Sequence, residues 1–260
     1  SADFEIHRWR AAHQYSPYLF AFAAGRFADV QDGSFTYLGP PGTEAGKLRS
    51  AFAPTAEMVR FFSEKAGLPL PEGRYAQLIV AGSEAQEAAS HSLLGEEEIA
   101  AFSKDPREDW AIAHELAHQW WGNLATCKSW TEFWLNEGIT VFMTAAWKEH
   151  AHGRAAYDAE LDLARKRWAR ARDAGWDRAL AFAGPYPNLG TRRAIQYSKG
   201  ALFMDHLRTL VGERAFWAGL KGYTRAHAGR TVESQNLQAA MEKASGLDLR
   251  PVFAEWVYGP

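Results

Sequence analysis

Short apolar runs separated by glycine and proline mark the first part of the chain. The runs of strand length are Tyr18–Ala24, Phe27–Val30, Ser34–Leu38 and Tyr75–Ala81. Asp32-Gly33 lies between two of them, which is a hairpin signal. One helical pattern interrupts the strands, because apolar positions from Pro54 to Ala66 recur at helical spacing and stop at Gly67. We therefore predict a strand-rich N-terminal lobe over residues 1–104.

From Asp105 onward the pattern becomes helical. Asp105, Pro106 and Glu108 have the positions of an N-cap, a first-turn proline and a capping-box partner. This helix should run to about Trp121 and end at Gly122. Further helical patterns, the last of them with Ser234 as its cap, cover Glu132–His150, Arg154–Ala174, Arg193–Val211, Glu213–Ala228 and Ser234–Ser245. Strands followed by helices indicate an α+β fold, with a helical lobe over residues 105–260.

Composition and charge narrow the class of protein. Of the 260 residues, 47% are hydrophobic and 23% are charged, which is typical of a globular chain. The formal net charge of −2 gives no excess of positive field for nucleic acid or an anionic membrane, and no apolar run has transmembrane length. The single cysteine, Cys127, cannot form an internal disulfide, which is consistent with a cytoplasmic protein.

Two histidines four positions apart carry the candidate chemistry. On a helix, His114 and His118 share one face and can both point at one ion, while Glu115 follows about 100° around the helix. Glu115 would then lie beside the ion, where a general base for an activated water belongs. The alternative is an amphipathic helix that carries two histidines by chance, because so short a pattern is weakly specific.

A third ligand candidate comes from the next helical pattern. Glu137 follows His118 with 18 residues between them. Two helices joined by such a connection can pack antiparallel and bring Glu137 to the ion. Catalytic zinc sites use three protein ligands, so this carboxylate would complete the set. Taken alone, Glu137 would be interpreted as a solvated helix residue.

Several motifs together resemble the M1 family of zinc aminopeptidases, which are gluzincins with a thermolysin-like catalytic domain. They are His114-Glu-Leu-Ala-His118, Gln119-Trp-Trp-Gly-Asn-Leu124, Asn136-Glu137-Gly138 and Gln196-Tyr-Ser-Lys-Gly-Ala201. The resemblance implies one Zn²⁺ held by His114, His118 and Glu137, with Glu115 as the general base. It also implies that Tyr197 stabilises the oxyanion of the tetrahedral intermediate. A neutral phenol hydroxyl is a suitable donor for that charge.

The resemblance extends over most of the chain. Ser16–Phe22 resembles the strand by which the family's N-terminal β domain enters its catalytic domain, and Phe253–Pro260 resembles the end of that domain. It implies that residues 1–260 form a single thermolysin-like catalytic domain with the zinc site in the cleft between the two lobes. The family's N-terminal β domain and C-terminal helical domain are expected to be absent from this chain.

One family signature is altered. Where the family has Gly-Ala-Met-Glu-Asn, whose glutamate binds the free α-amine of the substrate, this chain has Glu84-Ala-Gln-Glu-Ala88. We align Glu87 with the amine-binding position, and Glu84 could serve in a different register. A solvated glutamate is the alternative for either residue.

The sequence therefore predicts a zinc-dependent peptide hydrolase that removes N-terminal residues from a peptide substrate. Because the amine-binding motif is altered, an endopeptidase that uses the same zinc site is an alternative. A non-catalytic member of the fold that binds partners is a second alternative, against which the complete set of ligands, base and tyrosine argues.

Overall fold

A computed structural model describes residues 6–259 of the chain, which combine a β-sheet with a helical part. The strands of the sheet are β1 (Ala28–Asp32), β2 (Phe35–Gly39), β3 (Tyr75–Val80), β4 (Ala85–Ala88) and β5 (His91–Gly95). Their order in the sheet is β1-β2-β3-β5-β4. The pairs β1/β2 and β4/β5 are antiparallel, whereas β3 runs parallel to both β2 and β5. As a result, β4 is an edge strand of the sheet.

The predicted hairpin and the first predicted helix are confirmed. Gly33 adopts a φ of 60° between β1 and β2, a conformation that glycine reaches without steric cost. The helix α2 (Thr55–Ala66) ends at Gly67, whose φ is 68°. Two further helices in this part, α1 (Ala45–Ala51) and α3 (Glu96–Lys104), were not predicted. The first hundred residues are therefore a mixture of strand and helix.

The strand predicted over Tyr18–Ala24 is wrong. The chain forms a short 3₁₀ helix at Pro17–Leu19 and has no regular structure from Phe20 to Ala24. Ala89 donates a backbone hydrogen bond to the carbonyl of Leu19, but no strand pairs along the run. An apolar run becomes a strand only where a neighbouring edge can receive it.

The helix with the two histidines, α4 (Trp110–Ala117), starts four residues later than predicted. The carboxylate of Asp105 accepts hydrogen bonds from the backbone and the side chain of Arg107. It therefore stabilises a turn before the helix instead of capping it. Beyond Ala117 the chain continues in tight turns to Gly122, whose φ is 117°.

The remaining helices are α5 (Trp134–His152), α6 (Arg154–Asp173), α7 (Leu189–Arg192), α8 (Gly200–Val211), α9 (Glu213–Ala226), α10 (Ser234–Ser245) and α11 (Arg250–Phe253). The two short helices α7 and α11 were not predicted, whereas the other five follow the prediction closely. The run predicted as one helix from Arg193 to Val211 begins with a π-helical segment, Arg193–Lys199. Two short strands, β6 (Ala125–Cys127) and β7 (Arg230–Val232), pair in parallel and were not predicted.

Ser234 does not cap α10, contrary to the prediction. Glu233 holds the N-cap position and its backbone N–H donates to the side chain of Asn236 at 2.8 Å. The hydroxyl of Ser234 donates to Glu132 instead. The start of the helix was thus predicted correctly for the wrong reason.

One hydrophobic core joins the sheet to the helices. It extends along the chain from Val30 to Val257 and includes four fully buried tryptophans, Trp120, Trp121, Trp134 and Trp147. No helix within residues 6–259 combines the length and the apolar character needed to cross a membrane.

A pair of glycines sets the distance between α5 and the helical run that starts at Arg193. A Cβ placed on Gly138 would lie 2.7 Å from the Cα of Gly200, and one placed on Gly200 would lie 2.8 Å from the Cα of Gly138. The two backbones are therefore in direct contact. Each glycine neighbours a motif residue, since Glu137 precedes Gly138 and Lys199 precedes Gly200.

We predict that Gly200→Ala lowers the free energy of unfolding by about 1–3 kcal/mol, because backbone atoms cannot move aside for the new methyl group. Urea denaturation followed by circular dichroism would measure the change. The matched control is Gly222→Ala in α9, where a Cβ meets nothing within 4 Å. There we expect a gain of about 0.5–1 kcal/mol. Equal stability of the Gly200→Ala variant and the wild type would contradict the proposed close contact.

Candidate metal centre

Three side chains from two helices converge on one point. His114 and His118 project from the last turn of α4, and Glu137 from the first turn of α5. The two Nε2 atoms lie 3.2 Å apart, and Oε2 of Glu137 lies 3.4 Å from each of them. All three residues are at most 4% exposed. The packing of α4 against α5 thus produces the triangle that the sequence predicted.

The dimensions of this triangle fit a tetrahedral cation. Ligand atoms bound about 2.0–2.1 Å from a tetrahedral metal lie about 3.3 Å from one another. The three separations of 3.2, 3.4 and 3.4 Å agree with that edge length. Oε2 of Glu137 is buried without a hydrogen-bond partner, as expected of an atom placed for a metal. Two imidazoles and one carboxylate are a donor set that suits zinc.

Contacts behind His118 and His114 fix the two rings. The Nδ1 atom of His118 lies 3.0 Å from the carbonyl oxygen of Trp121, so Nδ1–H donates and Nε2 keeps its lone pair for the centre. A Cβ on Gly122 would come within 2.7 Å of that Nδ1 atom, so the glycine allows the loop to close over the ring. The ring of His114 stacks on Trp110, with centroids 4.4 Å apart.

Opposing influences set the charge at the centre. Burial would lower the pKa of His118, but the carboxylates of Glu137 and Glu87 outweigh burial and raise that pKa to about 10. Burial would raise the pKa of Glu137, yet the charge on His118 holds that pKa below its ordinary value. The position between these side chains therefore favours positive charge strongly.

Glu115 and Glu87 adjoin the triangle on one side. A carboxylate oxygen of each and a ring nitrogen of His118 lie within 4.8 Å of one another. Burial raises the pKa of Glu115 well above its ordinary value, and burial also raises the pKa of Glu87, in both cases against the influence of His118. Oε2 of Glu115 has no hydrogen-bond partner. Both carboxyl groups are therefore held where proton affinity is high. In the part of the chain that the structure describes, groups of three possible metal ligands occur only here.

Tyr197 faces the centre from the π-helical segment. Its ring is nearly parallel to that of His114, with centroids 6.4 Å apart. Burial, together with the charge of Glu137, raises the pKa of the Tyr197 hydroxyl far above its ordinary value. The phenol is therefore a neutral hydrogen-bond donor. The close contact between Gly138 and Gly200 is what brings this helix so near Glu137.

The two glutamates considered for binding the substrate amine lie in different places. Glu87, in β4, lies beside Glu115 and His118. The side chain of Glu84 precedes the strand, is 88% exposed and lies 3.8 Å from Nη2 of Arg193. Of the two glutamates, Glu87 is the one that the fold brings to the histidines.

Two buried amides bind β4 to the end of α4, and sequence reasoning assigned them no role. Nε2 of Gln119 and Nδ2 of Asn123 both donate to the carbonyl oxygen of Ala88, at 3.0 and 3.1 Å. The side-chain oxygen of Gln119 also accepts from the backbone N–H of Ser90 at 3.0 Å. The strand that carries Glu87 is thereby fixed to the segment that follows His118.

Tyr18 is a second neighbour of the site that sequence reasoning missed. The backbone N–H of Cys127 donates to Oδ1 of Asn136, which orients the amide, and Nδ2 of Asn136 then donates to the Tyr18 hydroxyl at 2.9 Å. Burial, followed by the charge of Glu87, raises the pKa of Tyr18. The only signal in the sequence was an apolar run, which gave no indication that its tyrosine reaches Glu87.

The chain is similar to known proteins over most of its length. The sequence profile of the Peptidase family M1 domain matches residues 52–256. Leucine aminopeptidase 2 of Emericella nidulans is 29% identical over 273 residues, covering 98% of this chain and 43% of that protein. Aminopeptidase N of Streptomyces lividans is 28% identical over 265 residues, covering 93% of this chain and 31% of that protein. The chain therefore spans less than half the length of these curated relatives.

A solved structure agrees with the sequence comparison. A mutant M1 zinc metallopeptidase from Deinococcus radiodurans, bound to a Tyr-Ser-Ala substrate, matches with a TM-score of 0.63 and 27% identity. The match covers 89% of this chain and 51% of that one.

We predict that Gln119→Leu lowers the free energy of unfolding by about 1–3 kcal/mol, because the backbone N–H of Ser90 loses its buried acceptor. Denaturant titration would measure this loss. Gln238→Leu is the control, since the Gln238 amide makes one hydrogen bond to Glu242 within α10. An unchanged unfolding midpoint for Gln119→Leu would show that the amide is dispensable for holding β4.

Proposed function

Because the chain belongs to peptidase family M1, we propose that it is a zinc-dependent peptide hydrolase that removes N-terminal residues. The observation that carries the proposal is the buried triangle of two imidazole nitrogens and one carboxylate oxygen at tetrahedral spacing. The names of its relatives add support, since they are aminopeptidases and a zinc metallopeptidase. A peptide with a free amino terminus is the proposed substrate.

His114, His118 and Glu137 would hold one Zn²⁺. When bound, zinc in such a site lowers the pKa of water and polarises the carbonyl that is to be cleaved. The unpartnered oxygen of Glu137 and the hydrogen bond that fixes the ring of His118 support this assignment. Three protein ligands leave room for substrate, as in catalytic zinc sites.

Glu115 is the proposed general base. It would take a proton from the attacking water as the new C–O bond forms. It would then deliver that proton to the nitrogen of the leaving amine as the C–N bond breaks. A carboxyl group whose pKa is raised well above its ordinary value by burial suits this double role, because it takes up a proton more readily than an exposed carboxylate does.

Tyr197 is the proposed oxyanion donor. As the peptide carbon becomes tetrahedral, negative charge develops on its oxygen, and a neutral hydroxyl fixed beside it lowers the energy of that state. The position of the Tyr197 ring next to His114 supports the role. The raised pKa keeps the proton on the phenol in the resting site.

Glu87 is the proposed partner of the substrate's α-ammonium group. Its carboxylate would form a charge-assisted hydrogen bond with the amine and so place the first peptide bond at the centre. The Tyr18 hydroxyl lies next to Glu87, and the amides of Gln119 and Asn123 hold the strand beneath it. The glycine, methionine and asparagine of the family motif are absent here, so the proposed contact is assigned to the Glu87 carboxylate alone.

The architecture forms part of the proposal. We infer a single thermolysin-like catalytic domain over residues 1–260, with a lobe over 1–104 that contains the five-stranded sheet, a helical lobe over 105–260 and the site in the cleft between them. The core that continues from Val30 to Val257 supports one domain. A match to leukotriene A4 hydrolase from Saccharomyces cerevisiae, with a TM-score of 0.76 at 20% identity, supports the fold alone.

We predict that Glu115→Gln lowers kcat by about 10²–10⁴-fold, because the amide cannot accept the proton of the attacking water. Zinc content, measured by atomic emission, should stay at one ion per chain. Glu57→Gln is the control, because that exposed carboxylate pairs with His150 outside the centre. Hydrolysis at the wild-type rate by a zinc-loaded Glu115→Gln variant would exclude Glu115 as the base.

The decisive experiment compares kcat/KM for one fluorogenic peptide with a free N-terminus and for its N-acetylated form. An aminopeptidase should strongly prefer the free amine. Glu87→Gln should reduce that preference by roughly ten- to a hundredfold, the value of one hydrogen bond to a charged group. Equal cleavage of the acetylated peptide would instead identify an endopeptidase. No cleavage of either peptide by the zinc-loaded protein would indicate a binding protein.

A further inference from the structure

An ion pair joins the two elements that carry Tyr197 and Glu87. Nη2 of Arg193, the first residue of the π-helical segment, lies 3.8 Å from Oε2 of Glu84, which directly precedes β4. Tyr197 is four residues after Arg193, and Glu87 is three residues after Glu84. The pair therefore lies to one side of the centre and links the π-helical segment to the start of β4.

The Arg193 side chain is 52% exposed, so a ligand in solvent can reach its guanidinium group.

The binding capacity of Arg193 is largely unused. The neighbouring Arg192 donates from Nε to Gln196 at 2.8 Å and stacks 4.6 Å over the ring of Phe133. Within residues 6–259, Glu84 is the single ion-pair partner of Arg193. Because the Glu84 side chain is 88% exposed, solvent screens the pair and a competing carboxylate can replace Glu84 readily. Arginine offers such a carboxylate a planar, two-pronged donor.

The spacing along β4 defines the length of ligand that would reach Arg193. An extended chain rises about 3.3 Å per residue, so Glu87 and Glu84 are separated by about 10 Å along the strand. An extended tripeptide spans about the same distance from its amine to its carboxylate. A tripeptide that follows the open edge of β4, with its amine at Glu87, would thus present its carboxylate at the level of Glu84 and Arg193.

We propose that Arg193 binds the C-terminal carboxylate of a short peptide substrate, in exchange for Glu84, and so selects tripeptides with a free carboxyl group. The inference rests on the proposed function, because the amine at Glu87 sets the starting point of the substrate. Arg193 is then a specificity-determining residue, and Glu84 is the competitor that occupies it between substrates.

The test compares a tripeptide that has a free carboxylate with the same tripeptide as its C-terminal amide. We expect the wild type to prefer the acid by roughly tenfold or more in kcat/KM, as one charged hydrogen bond allows. Arg193→Gln should abolish this preference and leave the preference for a free amine over an acetylated amine intact. Arg193→Lys should retain part of the preference for the acid. Glu84→Gln should increase that preference, because the competing carboxylate is removed. Arg250→Gln, which breaks an exposed pair with Asp248, is the matched control.

Binding separates this inference from the proposed function. Calorimetry on the zinc-loaded Glu115→Gln protein, with and without Arg193→Gln, measures the affinity for acid and amide without turnover. A tighter complex with the acid that depends on Arg193 supports the inference even if the wild type hydrolyses neither peptide, a result that would overturn the proposed function alone. Equal affinity for acid and amide would overturn the inference, as would an acid preference that survives Arg193→Gln. An equal loss of affinity for both peptides in Arg193→Gln would also overturn the inference. It would show that the ion pair with Glu84 only holds the π-helical segment against β4.

Discussion

Three carboxylates share one buried site with only two imidazoles, and the rest of the structure depends on how that negative charge is balanced. Glu115 and Glu137 are almost fully buried, and Glu87 lies beside them. Burying an ionised carboxylate is costly unless a positive group compensates it. Glu137 and Glu87 raise the pKa of His118 to about 10 despite its burial. This raised pKa reflects the demand for positive charge. A dication held by His114, His118 and Glu137, as proposed, would meet that demand.

Two kinds of contact hold the parts of the site in place. The glycine pair Gly138 and Gly200 brings the helix of Glu137 against the helix of Tyr197. The amides of Gln119 and Asn123 fix the strand of Glu87 to the end of α4. Each contact lies outside the set of groups that would perform chemistry, and each tolerates little change because the atoms involved are buried backbone or its direct partners.

The altered amine-binding motif changes which features of a substrate the site can recognise. Strand β4 is present and the carboxylate of Glu87 lies beside Glu115 and His118, so the proposed contact would give a free amine a charged partner. Where the family motif begins with glycine the chain has Glu84, which pairs with Arg193. A charged side chain thus stands where the family motif has none. The proposed recognition of a substrate carboxylate follows from this replacement of glycine by glutamate.

The sequence by itself determined the elements whose signals are local. The spacing of His114 and His118 follows from the helical period, and the end of α2 follows from the glycine at position 67. Such features depend on residues within a turn of one another, so the chain alone encodes them. The family resemblance supported Glu137 as the third ligand and added Tyr197, which no local pattern connects to the histidines.

Only the tertiary structure decided the features that depend on distant partners. The run Tyr18–Ala24 is not a strand because no sheet edge receives it. The choice between Glu87 and Glu84, and the hydrogen bonds from Gln119 to β4, require the edge strand to lie against α4. These contacts join residues roughly 30 positions apart or more, and their free energy arises from packing and burial that no single stretch of sequence contains.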